Sequence, residues 1–572
     1  MSFSLAPWKN SSEENVSKHD WTASKSVVIP STDILTFAFA NLGQYDKDKP
    51  VFINAKNPSE SISASQAYRV VCQLVKGLKA LGIKEGDCVC LHSYNNIWYP
   101  IIWLAIIGCG ACVSGVNPAY TSSELDRHFK LTKPEFIFAQ TNCVKPIIEA
   151  ASNCAIPTSN IFLIGEEGDA PVEGCRYWRT LLVESSDEPE PPFHPQGGDS
   201  LAAYAMTSGT TGLPKVAMIP HRYIVAQAAI LEDQFNARPY QVSQLICLPV
   251  FHAFASPLAL VLPLRLGVPT YFLPKFHLWD FLQAVKKFAI TDTPIVPPIA
   301  GLLAHLSHAD SYLIRSLRYV ICAGAALNSV VQTTLTKRLS LGVVVAQCWG
   351  TTEAGWHTLH GWSEKNDSGT VGRLLPNMEL KLIDNNGQSI EKYNVVGEAY
   401  IRSPTMFSSY LSESDANQDI FDSDGFYRTG DLVLVRDDKK VVYAGRCKEI
   451  LKVNGWQVSP TEVESVLVDH PLIDDAAVYG VSCEDRHGTY QTILCAYVVK
   501  ASVGDVDIAG EVSEEEITRA AEGLTQEVVK AFVASRLITY KHLKEVKFVK
   551  HIPRSPTGKI LRSQLGIVEP AE

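Results

Sequence analysis

At 572 residues the chain exceeds what one hydrophobic core supports, because single cores stop growing near roughly 250–300 residues, so at least two domains are expected. Its 46% hydrophobic and 20% charged residues exclude the disordered, collagen-like and disulfide-scaffold classes. With 51 basic against 61 acidic residues and a net charge of −10, it lacks the cationic footprint of a nucleic-acid binder, and no nucleic-acid partner is expected.

Residues 1–28 are polar and charged, without the apolar core of a secretory signal, and Pro570-Ala571-Glu572 is not a peroxisomal Ser-Lys-Leu signal. Fourteen scattered cysteines then read as free thiols, and a cytoplasmic location is the expectation. A helical period covers 65–81, a short buried strand at 87–92 follows a glycine turn, and a helix is expected at 96–107. The longest apolar run, 99–116, is broken by Gly108 and Gly110 and is short for the about 20 residues of a membrane span, so it reads as a buried helix and no transmembrane span is expected. Strand and helix alternate again through 135–139, 144–151 and 161–164. An acidic, proline-rich connection at 184–199 follows, and then 244–248, 278–286 and 319–322 continue the pattern. This βα alternation predicts largely parallel sheets. Around Gly445 a dense run of charges and turn residues marks a boundary, giving domains 1–446 and 447–572. The second is small, α+β in pattern (helices 460–468 and 526–536, strands 475–481, 492–499 and 545–548), and able to move as a unit.

The strongest local signal is 206–215, MTSGTTGLPK. Glycine permits close backbone approach, while the hydroxyls of Thr207, Ser208, Thr210 and Thr211 and the amine of Lys215 can donate to a polyphosphate. It is not a Walker loop, since Gly209 and Gly212 are too close and no Ser or Thr follows Lys215. The segment 347–355, QCWGTTEAG, follows an apolar strand at 343–346, and its Glu353 could partner Mg²⁺. In 427–432, YRTGDL, Asp431 after a glycine turn could accept two ribose hydroxyls. Near the end, Pro553, Pro556 and Gly558 stiffen the chain around Lys559, a compact charge suited to a developing phosphate oxyanion.

Together with 445–457, these segments resemble, in order and separation, the adenylate-forming superfamily of acyl-CoA synthetases, adenylation domains and luciferases, over about 30–565. "GVNPAYTSSEL" at 115–125, "LPVFHAF" at 248–254 and "GTVGRLLPNMELKLID" at 369–384 are most similar to the 4-coumarate-CoA ligase branch. The resemblance implies an α/β fold: a large N-terminal domain of parallel-rich sheets, flanking helices and a small β-barrel-like part, then a mobile C-terminal domain. It implies that Thr207 to Lys215, with Ser208, Gly209, Thr210, Thr211 and Gly212, binds the ATP phosphates, and that Thr352 and Glu353 hold the α-phosphate and Mg²⁺. Trp349 would meet adenine, beside Gly324, Ala325, Gln347, Gly350 and Thr351. Asp431 and Arg446 would take the ribose, Lys452 and Gln457 the nucleotide, and Lys559 would bridge carboxylate and α-phosphate. His252, Phe254, Gly324 and Trp356 would form the acyl pocket, Gly455 and Trp456 the coenzyme A path, and Lys448 a hinge.

The implied activity is ATP-dependent formation of an acyl-AMP from an aryl, arylalkyl or medium-chain acid, then transfer to coenzyme A, by a monomer or homodimer. Transfer to an amine or to oxygen is the alternative. Val216, Ala255 and Trp356 depart from the usual pattern, and 503–523 reads as an insertion. Cys109-Gly-Ala-Cys112 has redox spacing, but its apolar setting reads as packing.

Overall fold

The helix Ala64–Leu81 begins at a capping box: the Gln66 N–H donates to Ser63 Oγ at 3.2 Å and the Ser63 N–H donates to Gln66 Oε1 at 2.9 Å. It ends at Gly82, whose φ of 101° is the left-handed cap that glycine tolerates. This helix packs beside the helix Tyr99–Gly108 in a computed structural model that has two large sheets. The model describes residues 21–165, 172, 174–183, 196–207, 215–307, 310–339, 342–362, 364, 369–412, 417, 420–449, 451–453, 456–484, 490–501, 523–555 and 558–567.

The first sheet has seven strands in the spatial order Lys215–Pro220, Leu201–Thr207, Cys112–Val116, Cys88–His92, Phe136–Gln140, Ile161–Ile164 and Arg176–Tyr177. All pairs are parallel except the edge hairpin of Leu201–Thr207 with Lys215–Pro220. The second has nine strands, with a parallel centre through Gln244–Ile246, Asp292–Ile295, Tyr319–Cys322 and Val344–Thr351. One continuous apolar core joins the two. The predicted alternation is therefore real, and Ile161–Ile164, Tyr319–Cys322 and Pro460–Val468 match their expected bounds.

One expectation is corrected. The apolar run 99–116 is a helix, Tyr99–Gly108, followed by a strand, Cys112–Val116. Gly110, at φ 79°, makes the turn between them. Both elements are buried, so an unbroken apolar pattern could not tell helix from strand. Cys109 and Cys112 lie on either side of this turn, with their thiols donating to different carbonyls, those of Val75 and Leu201. No helix among the described residues is long and apolar enough to cross a membrane.

A third, five-stranded antiparallel sheet forms the half-barrel: Trp21–Thr22, Glu379–Ile383, Gly397–Arg402, Tyr427–Val435 and Val441–Arg446. After it come a short 3₁₀ turn, Cys447–Glu449, and the hairpin of Leu451–Val453 with Trp456–Val458. A three-stranded sheet of Ile473–Glu484, Tyr490–Lys500 and Leu543–Phe548 follows, packed on Pro460–Val468 and Gln526–Ala534. Of the expected 503–523 insertion, only residue 523 is described.

Candidate active site

Asp431 and Arg446 are direct partners across two half-barrel strands, so the ladder itself places the guanidinium beside the carboxylate. Arg446 Nε lies 3.0 Å from Asp431 Oδ1, and the Tyr443 hydroxyl donates to the same oxygen at 3.3 Å. The Trp349 indole N–H donates to Oδ2 at 2.9 Å. Burial raises the Asp431 carboxyl pKa, with Arg446 the strongest opposing influence.

Glu353 sits in the tight turn between Val344–Thr351 and Gly355–Leu359. That turn is clamped on several sides. The Tyr223 hydroxyl donates to the Thr352 carbonyl at 3.0 Å, Thr405 Oγ1 to the Ala354 carbonyl at 2.7 Å, and the Phe407 N–H to the Glu353 carbonyl at 2.8 Å. The Tyr410 hydroxyl donates to Glu353 Oε1 at 2.5 Å, and the Lys215 ammonium stands 5.1 Å from the centroid of the same tyrosine ring. Burial raises the Glu353 pKa, and the Tyr410 hydrogen bond opposes it.

Lys559 enters from the C-terminal segment on a stiff loop. Its N–H donates to Ser555 Oγ at 3.1 Å, the Ser555 N–H donates back to its carbonyl at 2.8 Å, and Arg554, anchored on Asp475, donates to the Gly558 carbonyl at 2.7 Å. Gly558 has φ 80°, and a Cβ there would lie 3.2 Å from Val296 Cβ, so glycine lets the loop lie against the N-terminal part. Burial lowers the Lys559 pKa, and Arg446 adds to this by repulsion.

Arg446, Glu353, Tyr410, Lys215 and Lys559 share one cavity of about 460 Å³. It is lined by Thr207, Lys215, Gly350, Thr351, Thr352, Glu353, Arg446, Lys448 and Lys559, and at its apolar end by His252, Phe254, Gly324 and Trp356. A family model described as AMP-binding enzyme matches residues 39–411, and one described as AMP-binding enzyme C-terminal domain matches 462–559. The chain belongs to the AMP-binding enzymes, within the adenylate-forming superfamily. It is similar to a phenylacetyl-CoA ligase of Aspergillus niger, 39% identical over 552 residues covering 94% of this chain and 97% of the relative. It is also similar to a 4-coumarate–CoA ligase of Arabidopsis thaliana, 30% identical over 93% of this chain and 90% of the relative. Two solved structures share the fold. ATP-bound MatB from Rhodopseudomonas palustris has a TM-score of 0.77 at 23% identity, covering 93% of this chain and 98% of the other. A benzoate CoA ligase from Burkholderia xenovorans has a TM-score of 0.75 at 21% identity, covering 93% and 99%.

In this AMP-binding enzyme four predicted residues do not line the cavity. Gln347 Nε2 donates to Gln332 Oε1 at 3.0 Å and Gln347 Oε1 accepts from the Leu327 N–H, so its amide is engaged behind the site. Trp349 is buried in the half-barrel core, edge-on to His357 with ring centroids 4.7 Å apart. The cause is strand alternation: Cys348 and Gly350 face the cavity, and Gln347 and Trp349 face away from it. Asp431 lies just behind the lining residue Gly430, and Ala325 just beyond Gly324. Ser208, Gly209, Thr210, Thr211, Gly212 and Gly455 lie outside the described residues, as do the side chains of Lys452, Trp456 and Gln457.

At the apolar end the Phe254 and Trp356 rings are 5.2 Å apart and tilted by 38°. Burial lowers the His252 pKa to about 4, and its Nδ1 accepts the Phe254 N–H at 3.3 Å, so the neutral ring carries its proton on Nε2. The departures at Val216 and Ala255 are both buried. Val216 pairs with Met206, and its carbonyl accepts from the Leu411 N–H at 2.8 Å, an ordinary place for a β-branched residue. Sequence reasoning missed Tyr410, Tyr427 and the Arg428–Glu398 pair, all of which line the cavity. Arg428 and Tyr427 lie in the recognised 427–432 segment. Tyr410 belongs to no recognised segment, and only the fold brings it to Glu353.

Proposed function

We propose that this enzyme activates an arylalkanoic or aryl acid with ATP and passes the acyl group to coenzyme A. The observation that carries the reading is the convergence on one cavity of Lys215, Glu353 and Lys559 with an apolar end walled by Phe254 and Trp356. A carboxylate oxygen attacks the α-phosphorus, the bond to pyrophosphate breaks, and an acyl-AMP forms. The coenzyme A thiolate then attacks the acyl carbon and AMP leaves.

The first step brings anions together, which is where fixed cations act most strongly. Thr207 to Lys215 hold the ATP phosphates, Thr352 the α-phosphate, and Asp431 and Arg446 the ribose. Lys559 meets the developing charge between carboxylate and α-phosphate. Glu353 suits a hard cation, since its carboxylate is buried, opens on the cavity and has no ion-pair partner among the described residues. Mg²⁺ held there would offset charge on the phosphate oxygens. The thioester step uses Lys452 and Gln457 at the nucleotide and the path past Gly455 and Trp456, after residues 447–572 rotate about Lys448 relative to 1–446. The name of the Aspergillus niger relative supports phenylacetate-like acids, with medium-chain acids as the wider class. We place the enzyme in the cytoplasm, as a monomer or homodimer.

The test is pyrophosphate release and thioester formation with an acid panel, with and without coenzyme A. Arylalkanoic acids should give both products, and no release with any acid would overturn the reading. Lys559→Ala should slow adenylation by roughly 10²–10³. It should leave thioester formation from a supplied acyl-adenylate largely intact, and equal loss in both half-reactions counts against the assigned role.

A further inference from the structure

Residues 407–411 touch two parts of the site that are far apart in sequence. On one side they pair with the edge strand that begins at Lys215. The Ser408 N–H donates to the Met218 carbonyl at 2.8 Å, the Met218 N–H to the Ser409 carbonyl at 2.9 Å, and the Leu411 N–H to the Val216 carbonyl at 2.8 Å. Tyr410 is thereby the antiparallel partner of Ala217, two residues from Lys215. On the other side, the Phe407 N–H donates to the Glu353 carbonyl at 2.8 Å. One short segment therefore ties the strand of Lys215 to the turn of Glu353.

Within that segment Tyr410 meets both side chains. Its hydroxyl donates to Glu353 Oε1 at 2.5 Å, and the Lys215 ammonium stands 5.1 Å from its ring centroid, within reach of a cation–π contact. Tyr410 is itself fixed. Its ring lies edge-on to the buried Phe407 with centroids 5.0 Å apart, and its hydroxyl is also hydrogen-bonded to Tyr427. Its N–H donates to Asn417 Oδ1 at 2.9 Å, and Asn417 Nδ2 donates back to its carbonyl at 2.9 Å. A phenol orients a carboxylate without bringing a positive charge, so the charge of Glu353 is left for a cation. A lysine or arginine in the same place would neutralise it.

We propose that Tyr410 is a positioning residue for the metal–nucleotide complex, fixing the Glu353 carboxylate and the Lys215 ammonium relative to each other before Mg²⁺ and ATP arrive. This rests on the roles of Glu353 and Lys215 proposed above. Groups held in place beforehand need no ordering on binding, which is where the affinity comes from. Without the hydroxyl, the buried carboxylate loses a charge-assisted hydrogen bond and is free to turn.

The test is calorimetry on the full-length protein with an ATP analogue whose α- and β-phosphorus are joined by a methylene, which cannot release pyrophosphate. Affinity is measured with saturating Mg²⁺ and again with a chelator, and the readout is the ratio of the two. Tyr410→Phe keeps the ring beside Lys215 and removes the donor, whereas Tyr410→Leu removes both. We expect Tyr410→Phe to lower the ratio about tenfold while metal-free affinity stays within about twofold of wild type. Tyr410→Leu should also weaken metal-free binding, by about threefold. An unchanged ratio in Tyr410→Phe, equal losses with and without metal in that variant, or wild-type metal-free affinity in Tyr410→Leu overturns the proposal. Glu353→Gln separates this failure from that of the reading beneath it. A ratio that falls in Glu353→Gln but not in Tyr410→Phe overturns the role of Tyr410 alone, and a ratio unchanged in both overturns the metal role of Glu353 as well.

Discussion

Asp431 is gripped on both carboxylate oxygens, by Trp349 on one and by Arg446 and Tyr443 on the other. Such a grip orients a carboxylate for bidentate contact, and losing one charged hydrogen bond costs about 1.5–3 kcal/mol. Trp349→Phe keeps a ring and removes the N–H. If Trp349 acts through Asp431, the KM for ATP should rise roughly tenfold or more with kcat less affected; an unchanged KM would favour ring contact alone. Lys559 supplies a pH test. Burial and Arg446 hold its pKa below the ordinary lysine range, so the ammonium is lost earlier as pH rises, and pyrophosphate release should fall on the alkaline side through that lowered pKa. Lys559→Arg should lower the maximum but move the alkaline limb upward, because guanidinium keeps its proton. His252, with its pKa near 4, stays neutral over the working range, so His252→Gln should leave the shape of the profile above about pH 5 unchanged.

Among the elements, the hairpin of Val344–Thr351 with Gly355–Leu359 does most to build the site. Its turn carries Thr352 and Glu353, and the strands on either side carry Gly350 and Trp356. Gly355→Ala would force a side chain into left-handed backbone and against Gln227 Oε1 and Thr405. We expect a loss of roughly 1–3 kcal/mol in stability, read as a lower Tm, and a larger rise in the KM for the acid than for ATP. The motif around Thr352 and Glu353 was legible in the sequence because it is local. The side each strand residue would face was not, because alternation puts Trp349 and Gly350 on opposite sides and a short apolar strand shows no period. The same ambiguity hid the strand Cys112–Val116 inside an apolar run whose helical half ends at Gly108.

In the whole molecule, polar contacts join the C-terminal segment to the rest among the described residues. Asn328 Nδ2 donates to the Ser465 carbonyl at 3.3 Å and to Asp469 Oδ1 at 3.2 Å, and the Ser459 hydroxyl donates to the Ala444 carbonyl at 2.9 Å. Interfaces of that kind permit relative motion. Lys448, in the 3₁₀ turn Cys447–Glu449 that joins the two parts, is the residue about which we propose the rotation. Lys448→Pro would fix φ there, so acyl-adenylate formation should persist while thioester formation falls at least about tenfold. Equal effects on both half-reactions would remove the hinge. The sequence by itself determined the ordered motifs, the alternation of strand and helix and the presence of a separate C-terminal pattern, because each is written in neighbouring residues. Only the tertiary structure decided that Tyr410 holds Glu353, that Trp349 faces Asp431 and that Trp356 lines the cavity. Those relations join residues 57 and 82 positions apart, or depend on which way a strand faces, and no local pattern encodes either.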